Sequence, residues 1–445
     1  MDLHSLEPIR PYILPVIYAV VIVLVLPLLA GYIVLLERKV MADMQARLGP
    51  MRVGPHGLLQ PIADAVKLLI KEDIIPDEAD KAIFLLAPLL SVTAGMLAYA
   101  ALPFGPVFQI ADLNVGLLFI LAISSMGIYG IVLGGWASNS HYSLMGALRS
   151  AAQLVSYETA AGLALVSALL LGGTLSMKGL VEAQARAGLW FIFLVPIGFF
   201  IYLVGSIAET NRAPFDLPEA ESELVAGYMT EYSGFRWSLY FLAEYANMIV
   251  VAGIATTLFL GGWLRPLAGV HWHVPATNIE LMDLIPALAF LVVALYCFRL
   301  APRQPVPIQK LVMVLAGGLM LLLAAVMGWS AAASPGIREG VHGAFWFVAK
   351  ILVYLYGFLW FRFTFPRYRF DQLMQLGWSF LIPLSLVNLI AVGTALALYR
   401  EAGWGLAPSL LLTNLITLAV AAWLAVDRHP RPGAILPITS ALDGD

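Results

Sequence analysis

LWFIFLVPIGFFIYLVGSIAETNRAPFDLPEAESELVAGYMTEYSGFRWSLYFLAEYANMIVVAGIATTLFLGGW (residues 189–263) decides how this chain is built. Two apolar runs, 189–207 and 237–263, enclose the block ETNRAPFDLPEAESELVAGYMTEY (209–232). Runs of about 20 apolar residues cross a bilayer as helices, because a helix satisfies its own backbone where no water is present. The block between them carries Glu209, Asp216, Glu219, Glu221, Glu223 and Glu231 against a single base, Arg212. Ionisable groups at the end of a membrane bundle are costly and point to function, often a proton or ion relay. A solvated acidic loop is the competing explanation, since charge runs are usually hydrated. Two features weigh against it. Pro214, Phe215, Pro218, Leu224, Val225 and Tyr228 interleave with the acids, as in a packed segment. Pro214 and Pro218 also stiffen the chain, and a short helix is expected after Pro218. That helix would set Glu219 and Glu223 one turn apart on one face.

Working outward, residues AVILMFWYC make up 61% of the chain and charged residues 12%. A soluble domain is nearer half apolar and a quarter charged, so the fold class is an all-α, polytopic integral membrane protein. The net charge of −3 gives no footing for nucleic acid. One cysteine, Cys297, excludes a disulfide or a thiolate cluster for iron–sulfur or zinc. The histidines, including His271 and His273, read as loop or near-loop residues, so no metal site and no redox cofactor are expected in this chain.

Spans read as 12–36, 83–102, 115–136, 154–171, 189–207, 237–263, 281–298, 311–329, 344–361, 378–398 and 406–426, eleven in all. Between the first two lies GLLQPIADAVKLLIKEDIIP (57–76), whose Leu58, Leu59, Ile62, Val66, Leu69 and Ile70 recur at helical spacing. It is too short and charged to span, and suits an amphipathic helix at the cytoplasmic membrane surface or against a partner. Threading the spans leaves only Arg10, Lys178, Arg186, Arg265, Arg338 and Arg400 on one side, with the other loop bases opposite. The basic side is cytoplasmic. The N-terminus is then outside, the C-terminus cytoplasmic, and the acidic block faces the cytoplasm.

Inside the spans stand Glu158, near Gln153, Ser156 and Tyr157, and Glu244, near Tyr240, Tyr245 and Asn247. A buried carboxylate takes up protons more readily than an exposed one, as a relay group must. Lys350 is also inside a span, either paired with a carboxylate or snorkelling. Neighbouring acids titrate together, so a reaction that changes the charge nearby shifts their protonation.

Three stretches, LLERKVMADMQARLGPMRVGPHGLLQPIADAVKLLIKEDIIP (35–76), AETNRAPFDLPEAESELVAGYMTEYSG (208–234) and PRYRFDQLMQLGW (366–378), resemble the H-subunit family of proton-pumping NADH–quinone oxidoreductase, respiratory complex I. The resemblance covers about 1–263 and 344–398. It implies an eight-span core under a hydrophilic arm, in a bacterial inner (cell) membrane, helping to form a long chamber for ubiquinone or menaquinone. Quinone is then the substrate. NAD and iron–sulfur clusters belong to partner subunits, and this chain binds no cofactor and holds no catalytic residue. The implied chamber wall comprises Glu37, Arg38, Lys39, Arg47, Asp64, Lys67, Arg212, Phe215 and Tyr228. The implied proton path, leading to antiporter-like membrane subunits, comprises Glu158, Glu209, Asp216, Glu219, Glu221, Glu223 and Glu244. Arg362, Arg367, Arg369 and Asp371 would face the hydrophilic quinone-site and iron–sulfur subunits, and lipid surrounds the rest.

The family pattern divides the chain into core (1–263), an inserted two-helix extension (264–343), the last two core helices (344–399), an extra helix (400–426) and a disordered tail (427–445). The additions are expected to carry no buried charge and to be structural. Met229 stands where the family commonly has histidine. The alternatives are a self-contained cation-coupled secondary transporter, or the membrane subunit of an energy-converting hydrogenase.

Overall fold

The computed structural model describes residues 10–106, 108–216, 224–266, 280–304, 306–401, 403 and 405–426. The helix expected after Pro218, with Glu219, Glu221 and Glu223, lies outside the described residues, as do His271, His273 and the tail. The described residues are helical throughout, with no strand. Ten of their helices are long and apolar enough to cross a membrane.

Helix α1 (Arg10–Met44) is 35 residues long. It rises about 52 Å, so it overruns the hydrocarbon and lifts its last turns clear. Its inner face buries Leu26, Ala30, Ile33 and Glu37, while Val20 and Leu24 face outward. Next, α2 (Gln60–Ile70) is the short amphipathic helix read from the spacing. It touches α1 but buries no residue of its own, and Ile62, Val66, Leu69 and Ile70 stay exposed.

Asp80 caps α3 (Lys81–Leu97) by accepting from the backbone N–H of Ala82 (3.1 Å) and Ile83 (3.4 Å). α3 packs on α4 (Gly116–Ala137), which packs on α5 (His141–Gly172). Gly173 ends α5 at φ 65, a left-handed cap that suits glycine. The surface helix α6 (Met177–Ala187) follows, capped by Ser176, where the sequence had suggested only loop.

The run 189–207 is not one span. It divides into α7 (Phe191–Leu194) and α8 (Pro196–Glu209). Pro196 has no N–H and crowds the preceding turn, so the ladder breaks at Val195. The Leu194 carbonyl accepts instead from Asn414 Nδ2 at 2.8 Å. That asparagine lies on the extra C-terminal helix, which thereby stitches the break.

The central helix is α9 (Gly234–Leu258), buried continuously from Met248 to Leu258. The inserted pair α10 (Leu281–Leu300) and α11 (Pro307–Ala331) pack mainly on each other, with Phe298 against Gly317. α11 also meets the turn Pro55–Gly57 that precedes α2. Contrary to the sequence expectation, the extension does carry buried charge: Glu280 and Asp283 at the head of α10 are buried and pair with Arg265 and Arg338. α12 (Pro335–Thr364) is one helix, so the division expected at 343 falls inside it. A short α13 (Phe370–Gln375) passes through a π-turn, Leu376–Leu381, into α14 (Ile382–Glu401), and α15 (Leu406–Val426) closes the described chain.

Lipid is as apolar as leucine, so close packing and interhelical polar contacts, not water exclusion, hold such a bundle. One close contact positions the acidic end. A Cβ on Gly146 of α5 would lie 2.6 Å from Gly227 Cα, and Gly227 itself is left-handed (φ 56). Only glycines let α5 meet the turn that carries Tyr228. Gly146→Val is expected to destabilise the protein by about 1–3 kcal/mol through overpacking. A lowered thermal midpoint in detergent checks this; an unchanged midpoint means that α5 and the turn do not touch.

Candidate functional site

Four buried or half-buried charges meet where α1, α8, α9 and α12 converge. Glu37 on α1 is 6% exposed and Arg212, just past α8, is 7% exposed. Arg212 exists in this position because Asn211 adopts a left-handed conformation (φ 50), which asparagine tolerates, and turns the chain inward. One Arg212 nitrogen lies 3.8 Å from Glu37 and another 3.6 Å from Glu244 on α9. The guanidinium stacks over the Tyr245 ring at 4.4 Å. Tyr245 Oη donates to Glu37 at 2.6 Å, and Arg362 Nη1 of α12 donates to the other Glu37 oxygen. Among the described residues, two acids and two guanidiniums thus meet. Removing one partner of such a set leaves a charge unpaired in low dielectric, which is strongly destabilising.

Glu244 also faces a cavity among α3, α4, α5, α8 and α9. Its walls include Glu158, Glu209, Glu244, Asn211, Tyr228, Tyr240, Asn247, Ser91 and Ser124. Tyr228 Oη donates to Glu244 at 2.9 Å and its ring stands edge-on to Tyr240. Ser125 Oγ donates to Glu158. Glu209, at the end of α8, lines the same cavity as Glu158. Among the described residues neither Glu158 nor Glu209 has an ion pair, in contrast with Glu37 and Glu244.

The other sequence candidates divide between inside and surface. Asp64 on α2 accepts from Arg38 at 2.8 Å and pairs with Lys67 at 3.6 Å, tying α2 to the end of α1. Lys39 is half-buried; Arg47 is exposed and donates to Gln45 at 2.6 Å, away from the cluster. Phe215 is 4% exposed, stacked on Tyr368 at 5.7 Å and tilted on Tyr157 at 5.6 Å. Gln153 Nε2 donates to the carbonyls of Ala208 and Phe215, both at 2.8 Å, and fixes the loop from beneath. Asp216 offers its carbonyl to Arg367. Arg367, Arg369 and Asp371 are exposed, whereas Arg362 turns inward to Glu37 instead of lying at the surface. Met229 is buried in an apolar cluster with Phe84, Tyr232 and Tyr240. Ser91, Ser124 and Ser125 went unread in the sequence, because serine in an apolar helix commonly bonds its own backbone. No group of three or more metal-ligating side chains occurs among the described residues.

Fold and site together define a polytopic helical membrane protein with a buried, balanced charge cluster opening on a carboxylate-lined cavity. The family profile described as NADH dehydrogenase matches residues 16–393. The NADH-quinone oxidoreductase H-subunit numbered 2 of Solibacter usitatus (strain Ellin6076) is 54% identical over 385 residues, 86% of this chain and 96% of that relative. The NADH-quinone oxidoreductase H-subunit numbered 1 of Koribacter versatilis (strain Ellin345) is 52% identical over 373 residues, 80% of this chain and 85% of the relative. The corresponding H-subunit of Rickettsia felis (strain ATCC VR-1525 / URRWXCal2) is 43% identical over 391 residues, 88% of this chain and 96% of the relative. The chain belongs to the H-subunit family of NADH–quinone oxidoreductases.

Because Glu37 and Arg362 touch directly, their substitutions are expected not to add. In a cycle of Glu37→Gln, Arg362→Gln and the double variant, thermal stability should reveal a coupling of about 0.5–3 kcal/mol. Additive losses would mean that the pair does not interact in the membrane.

Proposed function

We propose that this chain is the membrane subunit of an NADH–quinone oxidoreductase, that it walls a quinone chamber beside Glu37, and that Arg212 passes the charge change of quinone reduction to the carboxylate cavity. Family membership supports the first part, since the relatives carry that enzyme's name. The single observation behind the rest is the near-equal placement of Arg212, 3.8 Å from Glu37 and 3.6 Å from Glu244. The transporter and hydrogenase alternatives have no comparable support.

Reducing a quinone to a quinol takes two electrons and two protons. The electrons would arrive from an iron–sulfur cluster of a hydrophilic partner, and NAD would be bound there too. Charge added beside Glu37 draws Arg212 that way and leaves Glu244 less compensated. Two unit charges 4 Å apart interact by about 4 kcal/mol at an effective dielectric of 20. An interaction of that size is large enough to couple charge on the quinone side to proton traffic in the cavity. The proton is taken up through Tyr228 and the cavity acids Glu209 and Glu158, and the displaced charge passes on toward antiporter-like membrane subunits. Asp216, Glu219, Glu221 and Glu223 supply the cytoplasmic end of the path. Arg38, Asp64, Lys67 and Phe215 wall the chamber, with Lys39 and Arg47 at its rim.

The distribution of loop bases supports an N-terminus outside and a C-terminus inside a bacterial cell membrane. Exposed Arg367, Arg369 and Asp371 then suit a docking face for the hydrophilic subunits.

Arg212→Ala should lower quinone reduction by at least tenfold in the purified complex (~1.4 kcal/mol or more of lost stabilisation), while NADH oxidation by a soluble acceptor persists. Glu244→Gln should retain more of the quinone reductase rate than of the proton pumping in sealed vesicles. Wild-type quinone reduction and pumping from both variants would refute the role given to Arg212.

A further inference from the structure

Lys350 is the cation that the cluster and the cavity leave unexplained. It sits near the middle of α12 and is 7% exposed. Its ammonium donates to three backbone carbonyls, Leu260 (2.6 Å), Gly262 (2.9 Å) and Leu264 (2.5 Å), and lies 4.3 Å from the Trp190 ring centre. Among the described residues no carboxylate pairs with it. Every N–H is matched, and the carbonyls belong to the segment just past α9, where the helix dipole presents its negative end. This is neither the carboxylate pair nor the snorkelling side chain that the sequence allowed.

Two hydroxyls lie between Lys350 and the acidic side. Tyr354 lies one turn from Lys350 on the same face of α12. Its hydroxyl meets Ser206 Oγ at 2.9 Å, and Ser206 stands one turn before Glu209 on α8. From Arg362, at the acidic end of α12, Tyr354 lies about 12 Å along the axis and Lys350 about 18 Å. Hydroxyls accept and donate, and so can pass protons. An ammonium has donors only, and a hydrogen-bonded wire ends on it. A fixed cation in a pore also repels protons.

We propose that Lys350 is an electrostatic plug, which stops protons held by Glu209 from crossing this subunit along α12. The inference rests on the proton-collecting role given above to the cavity acids. The ammonium also satisfies three carbonyls past the end of α9, and a Lys350→Arg variant keeps both the donors and the charge, so the neutral variants test what the charge adds.

The test uses the assembled complex in sealed vesicles without NADH, with an imposed pH gradient and a pH dye inside. Lys350→Met and Lys350→Gln should raise passive proton conductance several-fold with quinone reduction retained, whereas Lys350→Arg, which keeps the charge, should stay tight. Adding Tyr354→Phe to either neutral variant should restore tightness. Assembled neutral variants as tight as wild type overturn the plug, and so does a Lys350→Arg complex that assembles and leaks. A wild-type complex that fails to pump with NADH would sink the proposed function instead, and the passive leak, measured without turnover, would still decide the role of Lys350.

Discussion

The bundle depends on how Glu37 is neutralised. A carboxylate buried in the low-dielectric interior is tolerated only with its charge compensated and its lone pairs bonded. Arg212, Arg362 and Tyr245 supply that compensation from three separate parts of the chain. Glu37 itself enters on α1, and Glu244 takes the second side of Arg212 from α9. None of these pairings forms within a local segment. They fix α1, α9, α12 and the loop after α8 against one another only once the whole core has assembled, which makes the charge cluster a condition on the fold as much as a feature of the site.

The carboxylates of the cavity are held differently. Glu158 accepts from a serine and Glu209 shares its cavity, where Glu37 has two guanidiniums. Balanced ions are stable as ions; acids that share space without cations exchange protons in response to one another. Glu244 belongs to both sets, through Arg212 on one side and Tyr228 on the other. It joins the charge cluster to the cavity, and the close glycine contact between α5 and the Tyr228 turn holds that junction in place.

Much of this was legible in the sequence, and the boundary is physical. Spans and the amphipathic α2 follow from periodicity, which local sequence carries. The break at Val195–Pro196 did not stand out, because Pro15, Pro27, Pro88 and Pro286 sit inside unbroken helices of the same chain. Proline alone signals a weak point, and tertiary packing decides whether the helix parts there. Glu158, Glu244 and the acids of the 209–232 block were conspicuous as charges in apolar surroundings. Their partners were not: Glu37 and Arg362 lie 325 positions apart, and nothing local says that they meet. Backbone acceptors are still less visible, since every residue has a carbonyl, and the bonding of Lys350 could not be read beforehand.

Lys350 and Arg212 show two solutions to burying a cation, with different consequences. Arg212 is shared between two carboxylates at similar distances, so a small change in charge on either side alters the balance. Its planar fork presents one nitrogen to each, at 3.8 Å and 3.6 Å. Lys350 answers to three peptide carbonyls, dipoles that neither titrate nor move independently of the backbone. No nearby reaction can change their charge, so the ammonium they hold stays put. A device that must respond needs the first arrangement, and one that must stay closed needs the second. Finding both on one bundle, the shared cation at the acidic end and the fixed one deep along α12, is what a protein would require if protons were to be gathered at one face and kept from the other.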